Sequence, residues 1–146
     1  MGCPERRADH AERAVEFSID IIKMIELFRT PMGSPIAIRV GLNSGSITAG
    51  VLGEMNPHWC IVGDTVNTAS RMESTSKAMH IHISESTKEM AQRCGKFIIT
   101  GPEVLNVKGK GTMATYWIGG RKGPGGAIVG GGESGPLGSA AYGSGH

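Results

Sequence analysis

Between Asp9 and about Arg29, apolar residues recur at helical spacing: Ala11, Ala14, Val15, Ser18, Ile21, Ile22, Ile25 and Phe28. Such a stripe makes one amphipathic helix, and its apolar face must be covered. The stripe needs a sheet, yet no strand pattern precedes it. Asp9, with Glu12 three residues on, has the form of a capping box with Asp in place of Ser or Thr. Thr30-Pro31-Met32-Gly33-Ser34-Pro35 ends the helix and forms a loop.

Ile36 to Asn43 is β-branched and partly alternating, which predicts a strand. The chain bends at Ser44-Gly45-Ser46, and Ile47 to Gly53 continues extended. Ala49 and Gly50 are small enough for another backbone or a ligand to approach. A bulged strand packed under a helix accounts for the same residues equally well. Glu54 to Pro57 turns. Further on, Ile81-His82-Ile83 predicts a short strand, Ser84 an N-cap and Glu85 to about Cys94 a helix. Lys96 to Thr100 predicts another strand, Gly101-Pro102 a turn, and Met113 to Ile118 a last strand with Tyr116 and Trp117 as β-formers. Helices and strands in this mixed order are α+β.

The longest motif joins these parts. His58-Trp59-Cys60-Ile61-Val62 reads as an apolar strand, Gly63-Asp64 as the turn into a helix with Asp64 as N-cap. Asn67 and Arg71 are four apart, so the helix sets them on one face, one turn from each other. Val66, Ala69 and Met72 then face the core. A carboxamide beside a guanidinium, just after a helix start, suits a site that handles phosphate. An ordinary polar surface helix fits that pattern too. Lys108-Gly109-Lys110-Gly111 is a second candidate, since glycines let the backbone come close and ammonium groups meet phosphates. It lacks the Gly-x4-Gly-Lys-Ser/Thr spacing of a Walker A loop, and a solvated basic turn has the same composition.

Bulk properties narrow the function classes. The 146 residues make one domain at most, and 39% hydrophobic residues permit a core. A net charge of +2 and 5% aromatic residues argue against nucleic-acid binding. No apolar run approaches the ~20 residues of a membrane span. Cys3, Cys60 and Cys94 are odd in number and far apart, which fits reduced thiols in a cytoplasmic protein rather than a disulfide framework. Met1-Gly2-Cys3 opens like an acylation signal, but Arg6 stands where the pattern wants Ser or Thr, so acylation is not expected. Beyond Gly119 the composition turns to Gly, Ser and Ala. The expected organisation is a polar lead-in at 1–7, one ordered unit at 8–119, and a Gly/Ser-rich disordered tail at 120–146.

Four segments fall in one order: Ile38-Arg39-Val40-Gly41-Leu42-Asn43-Ser44-Gly45, Ala49-Gly50-Val51-Leu52-Gly53, Val62 through Ser74, and Val107-Lys108-Gly109-Lys110-Gly111. Their order and spacing resemble the class III nucleotidyl cyclase catalytic domain, specifically the guanylate cyclases, from about Arg7 to Ile118. The resemblance implies a ferredoxin-like, βαββαβ-related fold. It also implies a head-to-tail pair of domains with the active site between them. There a 3′-hydroxyl attacks the α-phosphate of GTP, giving cyclic GMP and pyrophosphate. Asn67 matches the residue that orients the ribose, and Arg71 the one that stabilises charge on the α-phosphate. Lys108 matches the lysine that holds the terminal phosphates. Cys60 matches a base-recognition position where adenylate cyclases carry Asp. A thiol is a weak donor without repelling charge, so Cys60 favours guanine; a small buried strand residue is the plainer reading.

The family holds two divalent cations, Mg²⁺ or Mn²⁺, on two Asp carboxylates, and neither carboxylate motif is present here. Asp9 and Asp20 fall in the first helix and Asp64 in the Gly-Asp-Thr turn, so no residue is assigned to a metal. The Glu that contacts guanine is also missing. The expectation is therefore a partial cyclase domain lacking its first strands, as a fragment of a longer guanylate cyclase or a partial domain needing a second cyclase domain to supply the metal site. A parent protein is free to be membrane-attached. A non-catalytic nucleotide-binding or dimerisation module that regulates a cyclase is the alternative, and a remnant that does not fold alone is a third.

Overall fold

In the computed structural model, which describes residues 5–122 and 128–129, α1 spans His10–Leu27, β1 Val40–Leu42 and β2 Thr48–Leu52. Then follow β3 His58–Val62, α2 Asp64–Ser74, β4 Ile81–Ser84, α3 Glu85–Gln92, β5 Phe97–Val107, β6 Gly111–Lys122 and β7 Ile128–Val129. The fold is α+β, as the mixed order of elements requires. The main sheet runs β1-β4-β6-β5 with β7 paired to β6; β2 and β3 form a separate antiparallel ribbon. β1 and β4 are parallel, and the other pairs are antiparallel.

Strand alternation splits the sheet into two faces. On one, Ile81, Ile83, Phe97, Tyr116 and Ile118 form the core with Val15, Ile19 and Ile22 of α1 and Ala91 of α3. The later strands thus cover the first helix. Its buried stripe is Ala11, Val15, Ser18, Ile19 and Ile22. Ile19 was not in the expected stripe, whereas Phe28 is 52% exposed because α1 stops at Leu27. On the other face, α2 lies directly on β1. A Cβ at Gly41 would stand 2.0 Å from the Glu73 backbone nitrogen, so only glycine admits the helix there.

Several local expectations need correction. Asp9 is the N-cap of α1 but makes no capping bond. Its carboxylate accepts from Arg7 Nε at 3.1 Å and Arg13 Nε at 2.5 Å, which hold its pKa down to about 2, while Glu12 pairs with Lys96. Charge pairing wins over capping. The first strand is only Val40–Leu42, because Ile36–Arg39 has no ladder partner among the described residues. Gly101-Pro102 does not end a strand. β5 passes through it with a register shift between Thr100 and Glu103, a bulge that accommodates the missing proline N–H. β6 runs to Lys122, past the expected limit at 119, and Ile128–Val129 of the tail expected to be disordered pairs with it as β7; the rest of that tail lies outside the described residues. Ser84 caps α3 as expected, accepting from the Thr87 N–H.

Candidate active site

The turn from β3 into α2 is made by Gly63, at φ 134°, so Gly63 and not Asp64 is the N-cap. Asp64 is the first residue of the helix, and its carboxylate accepts from Lys110 Nζ on the β5–β6 hairpin. The partner across space outcompetes the local backbone. Met72 is fully buried on the inner side of α2, with Val66 and Ala69 half-buried beside it. The opposite side therefore turns Asn67 and Arg71 to solvent. Arg71 is fixed at the backbone: its carbonyl accepts from Thr75 Oγ1 at 2.7 Å, Ser74 Oγ at 3.1 Å and Thr75 N at 3.0 Å.

β5 and β6 are long strands joined at Lys108-Gly109-Lys110, and this hairpin reaches over to the start of α2. Gly109 and Gly111 take φ of 85° and 75°, left-handed values that the turn requires and other residues resist. A cleft of about 650 Å³ opens between hairpin and helix, with Asp64, Asn67, Arg71, Lys108 and Lys110 on its walls. Six of the fifteen Lys and Arg side chains pair with a carboxylate: Arg7 and Arg13 with Asp9, Arg39 with Glu73, Lys96 with Glu12, Arg121 with Asp20 and Lys110 with Asp64. Arg71 and Lys108 have none among the described residues. Two unpaired cations facing one open cleft make an anion site, and the planar fork of Arg71 matches phosphate oxygens.

The fold thus brings together Asn67, Arg71 and Lys108. Cys60 is elsewhere: it is half-buried on β3, opposite Gly50 of β2, and not on the cleft wall. The close approach expected at Gly50 does not occur among the described residues, since a Cβ there would meet none of their atoms within 4 Å.

The sequence matches the family described as "Adenylate and Guanylate cyclase catalytic domain" over residues 1–120. The chain belongs to this family. It is 44% identical over 120 residues to the receptor-type guanylate cyclase gcy-6 of Caenorhabditis elegans, covering 80% of this chain and 11% of that protein. Other relatives are named as soluble guanylate cyclases. Among solved structures, the guanylate cyclase domain of RhGC from Catenaria anguillulae in complex with GTP superposes with a TM-score of 0.78 at 63% identity. The match covers 83% of this chain and 65% of that one. A non-canonical dimeric guanylyl cyclase domain from Blastocladiella emersonii gives 0.74 at 59% identity, covering 83% and 65%. The chain therefore spans about a tenth of the curated relative and just under two thirds of the solved cyclase domains.

Membership implies a divalent cation, but the donor set on this cyclase domain does not fit one. Asp64 is the single carboxylate on the cleft wall, and it is held by Lys110. Among the described residues no three His, Cys, Asp or Glu side chains gather as a metal site requires. No helix among them is long and apolar enough to cross a membrane.

Sequence reasoning missed three residues of this region. Asn43, at the end of β1, donates from Nδ2 to the Thr65 carbonyl at 2.9 Å and accepts from Ser84 and Ser86, tying the first turn of α2 to β1 and α3. Thr68, on the inner side of α2, and His82, beneath that helix, are buried, and among the described residues Thr68 Oγ1 and His82 Nε2 have no hydrogen-bond partner. Asn43 before Ser44-Gly45 carried a signal, as a turn-forming amide at a strand end. Thr68 and His82 carried none.

Proposed function

We propose that the chain forms one wall of a guanylate cyclase active site, completed by a second cyclase domain. GTP lies in the cleft between α2 and the β5–β6 hairpin. The 3′-hydroxyl oxygen attacks the α-phosphorus, its proton passes to water or to the departing pyrophosphate, the bond to that pyrophosphate breaks, and cyclic GMP forms. Asn67 orients the ribose, Arg71 meets the charge that builds on the α-phosphate oxygens, and Lys108 holds the terminal phosphates. Fixed cations at developing negative charge are what such a displacement needs. The observation that carries this reading is the convergence of Asn67, Arg71 and Lys108, two of them unpaired cations, on one cleft.

Cys60 contacts guanine once the partner domain closes the site. The β2–β3 ribbon supports pairing. A two-stranded ribbon is marginal alone, and this one leaves Val51, Leu52, Ile61 and Val62 about half exposed. The partner supplies the carboxylates for Mg²⁺ or Mn²⁺, and the assembly is cytoplasmic, whether free or part of a membrane-attached protein.

The test pairs the chain with a cyclase domain that has the two aspartates but lacks its own transition-state arginine. Cyclic GMP is then expected from the one site that uses Arg71. Arg71→Ala should cost about 3 kcal/mol of barrier, on the order of a hundredfold in rate. Turnover indifferent to Arg71→Ala overturns the proposal. The lack of a cation site among the described residues favours a second reading, a nucleotide-binding or dimerisation module that regulates a cyclase. GTP binding without turnover beside the competent partner would select it.

A further inference from the structure

His82 is fully buried at the centre of β4, on the face that carries α2. A hydrophobic residue would be the ordinary occupant of such a position. Its Nδ1 lies 3.1 Å from the Met72 carbonyl and 3.1 Å from Thr75 Oγ1. A carbonyl only accepts, so Nδ1 carries the hydrogen and Nε2 the lone pair. The Thr75 hydroxyl in turn donates to the Arg71 carbonyl at 2.7 Å. One hydrogen-bonded run therefore leads from the middle of the sheet to the backbone of Arg71. The ring is clamped from its other side by Trp117, stacked at 4.2 Å and 11°. Trp117 is itself held by Glu103, which accepts from its Nε1 at 2.7 Å.

We propose that His82 is a positioning residue for Arg71: as the neutral ring it seats the last turn of α2 on the sheet and so fixes where the guanidinium enters the cleft. The role of Arg71 rests on the function proposed above; the seat itself does not. The argument turns on Nε2, which is buried and has no partner among the described residues. A proton arriving there makes an imidazolium whose new N–H has nothing to bind, in a site closed to water. The charged groups around the ring are Glu103 of β5, reached through Trp117, and Lys77 of the α2–β4 turn, whose ammonium stands 5.1 Å from the Trp117 ring; His80 meets that ring edge-on. β1 faces it with Gly41 and no side chain, and Thr115 of β6 donates to the Glu103 carbonyl. Burial is the largest influence and pushes the His82 pKa below its usual 6.5; the Met72 carbonyl and Glu103 only partly oppose it.

The sign follows. The unfolded chain takes up a proton on this histidine below about pH 6.5, while the seated ring does not. The seat is therefore at full strength above that pH and weakens as pH falls below it. Glutamine can donate to the same carbonyl without titrating, which makes His82→Gln the informative variant; His82→Leu removes the bond and is the harsher one.

The experiment measures amide-exchange protection at residues 71–76 in the full chain from pH 8 to pH 5.5, for wild type and His82→Gln. Wild-type protection is expected to fall progressively below about pH 6.5, by at most about tenfold per unit, and the His82→Gln profile to stay level. A common profile for both overturns the proposal, as does a fall in protection that is uniform over the sheet. GTP affinity, measured over the same range, should drop more steeply for wild type than for His82→Gln. That difference should vanish in the Arg71→Ala background. Its persistence there overturns the link to Arg71. A wild-type chain that binds no GTP defeats the proposed function alone, because exchange still decides the seat.

Discussion

On one face of the sheet, Ile81, Ile83, Tyr116 and Ile118 meet α1 and α3 through apolar side chains, with Val40 and Leu42 packed against them. On the other, α2 lies on Gly41 of β1 and His82 of β4, and apart from Met72 the groups buried between them, Thr68 and His82, are polar, with no side chain at Gly41. The first face is held by burial, which is strong but indifferent to exact placement. The second is held by directed contacts: the Met72 carbonyl on His82, the Thr65 carbonyl on Asn43, the Glu73 backbone on a bare Gly41. Such contacts add little net stability but are lost with small displacements. The helix that carries Asn67 and Arg71 is the one fixed this way. The comparison teaches that this domain separates the task of staying folded from the task of aiming its functional side chains.

The largest effect should come from the apolar face. Ile83 is fully buried between β4's neighbours and the helices above, so Ile83→Ala should cost about 2–5 kcal/mol in denaturant unfolding. Nucleotide affinity per folded molecule should stay unchanged. A cost under about 1 kcal/mol would mean that the α1–α3 core is not what holds the sheet.

Gly41→Ala attacks the other face. The added methyl meets the Glu73 nitrogen and the Met72 carbonyl carbon, both backbone, so the helix itself has to move. Overpacking of this kind costs about 1–3 kcal/mol, less than the Ile83 truncation. The loss of GTP affinity per folded molecule should nonetheless exceed that of Ile83→Ala. If the two substitutions reverse that order, the division of labour between the faces is wrong.

The apolar face was legible in the sequence and the polar face was not, for a physical reason. Alternating Ile81 and Ile83, the periodic stripe of α1, and Ser84 before a polar first turn act through local periodicity and local bonds. The Asn67–Arg71 spacing and the Lys108-Gly109-Lys110-Gly111 turn were likewise visible, and the fold brings them to one cleft. His82 sits where a period-2 reading assigns a polar, solvent-facing residue, and only α2 arriving from above buries it. Asp9 and Asp64 look like side-chain caps from their sequence neighbours, but arginines and a lysine take their carboxylates. Gly101-Pro102 reads as a stop because bulged continuation depends on β6 alongside. Cys60 is on β3, away from the cleft wall formed by the described residues.

The smallest effect in stability should come from the ion pair that joins the two walls of the cleft, Lys110 with Asp64. Its side chains are 38% and 70% exposed, and exposed pairs contribute about 0–1 kcal/mol, less as salt rises. Lys110→Met and Asp64→Asn should therefore unfold almost as the wild type does. Their effects on the cleft should be opposite in sign. Around the cleft stand three cations, Arg71, Lys108 and Lys110, against the carboxylate of Asp64. Lys110→Met removes one cation and leaves that carboxylate unpaired beside the phosphates, which weakens triphosphate binding. Asp64→Asn frees the Lys110 ammonium for the ligand, which strengthens it and steepens its dependence on salt. Titrating GTP into both variants at low and high ionic strength reads this directly. Affinity changes of the same sign would show that the pair matters by holding the hairpin in place, making it an aiming device like the seat of α2 rather than a part of the charge that meets the phosphates.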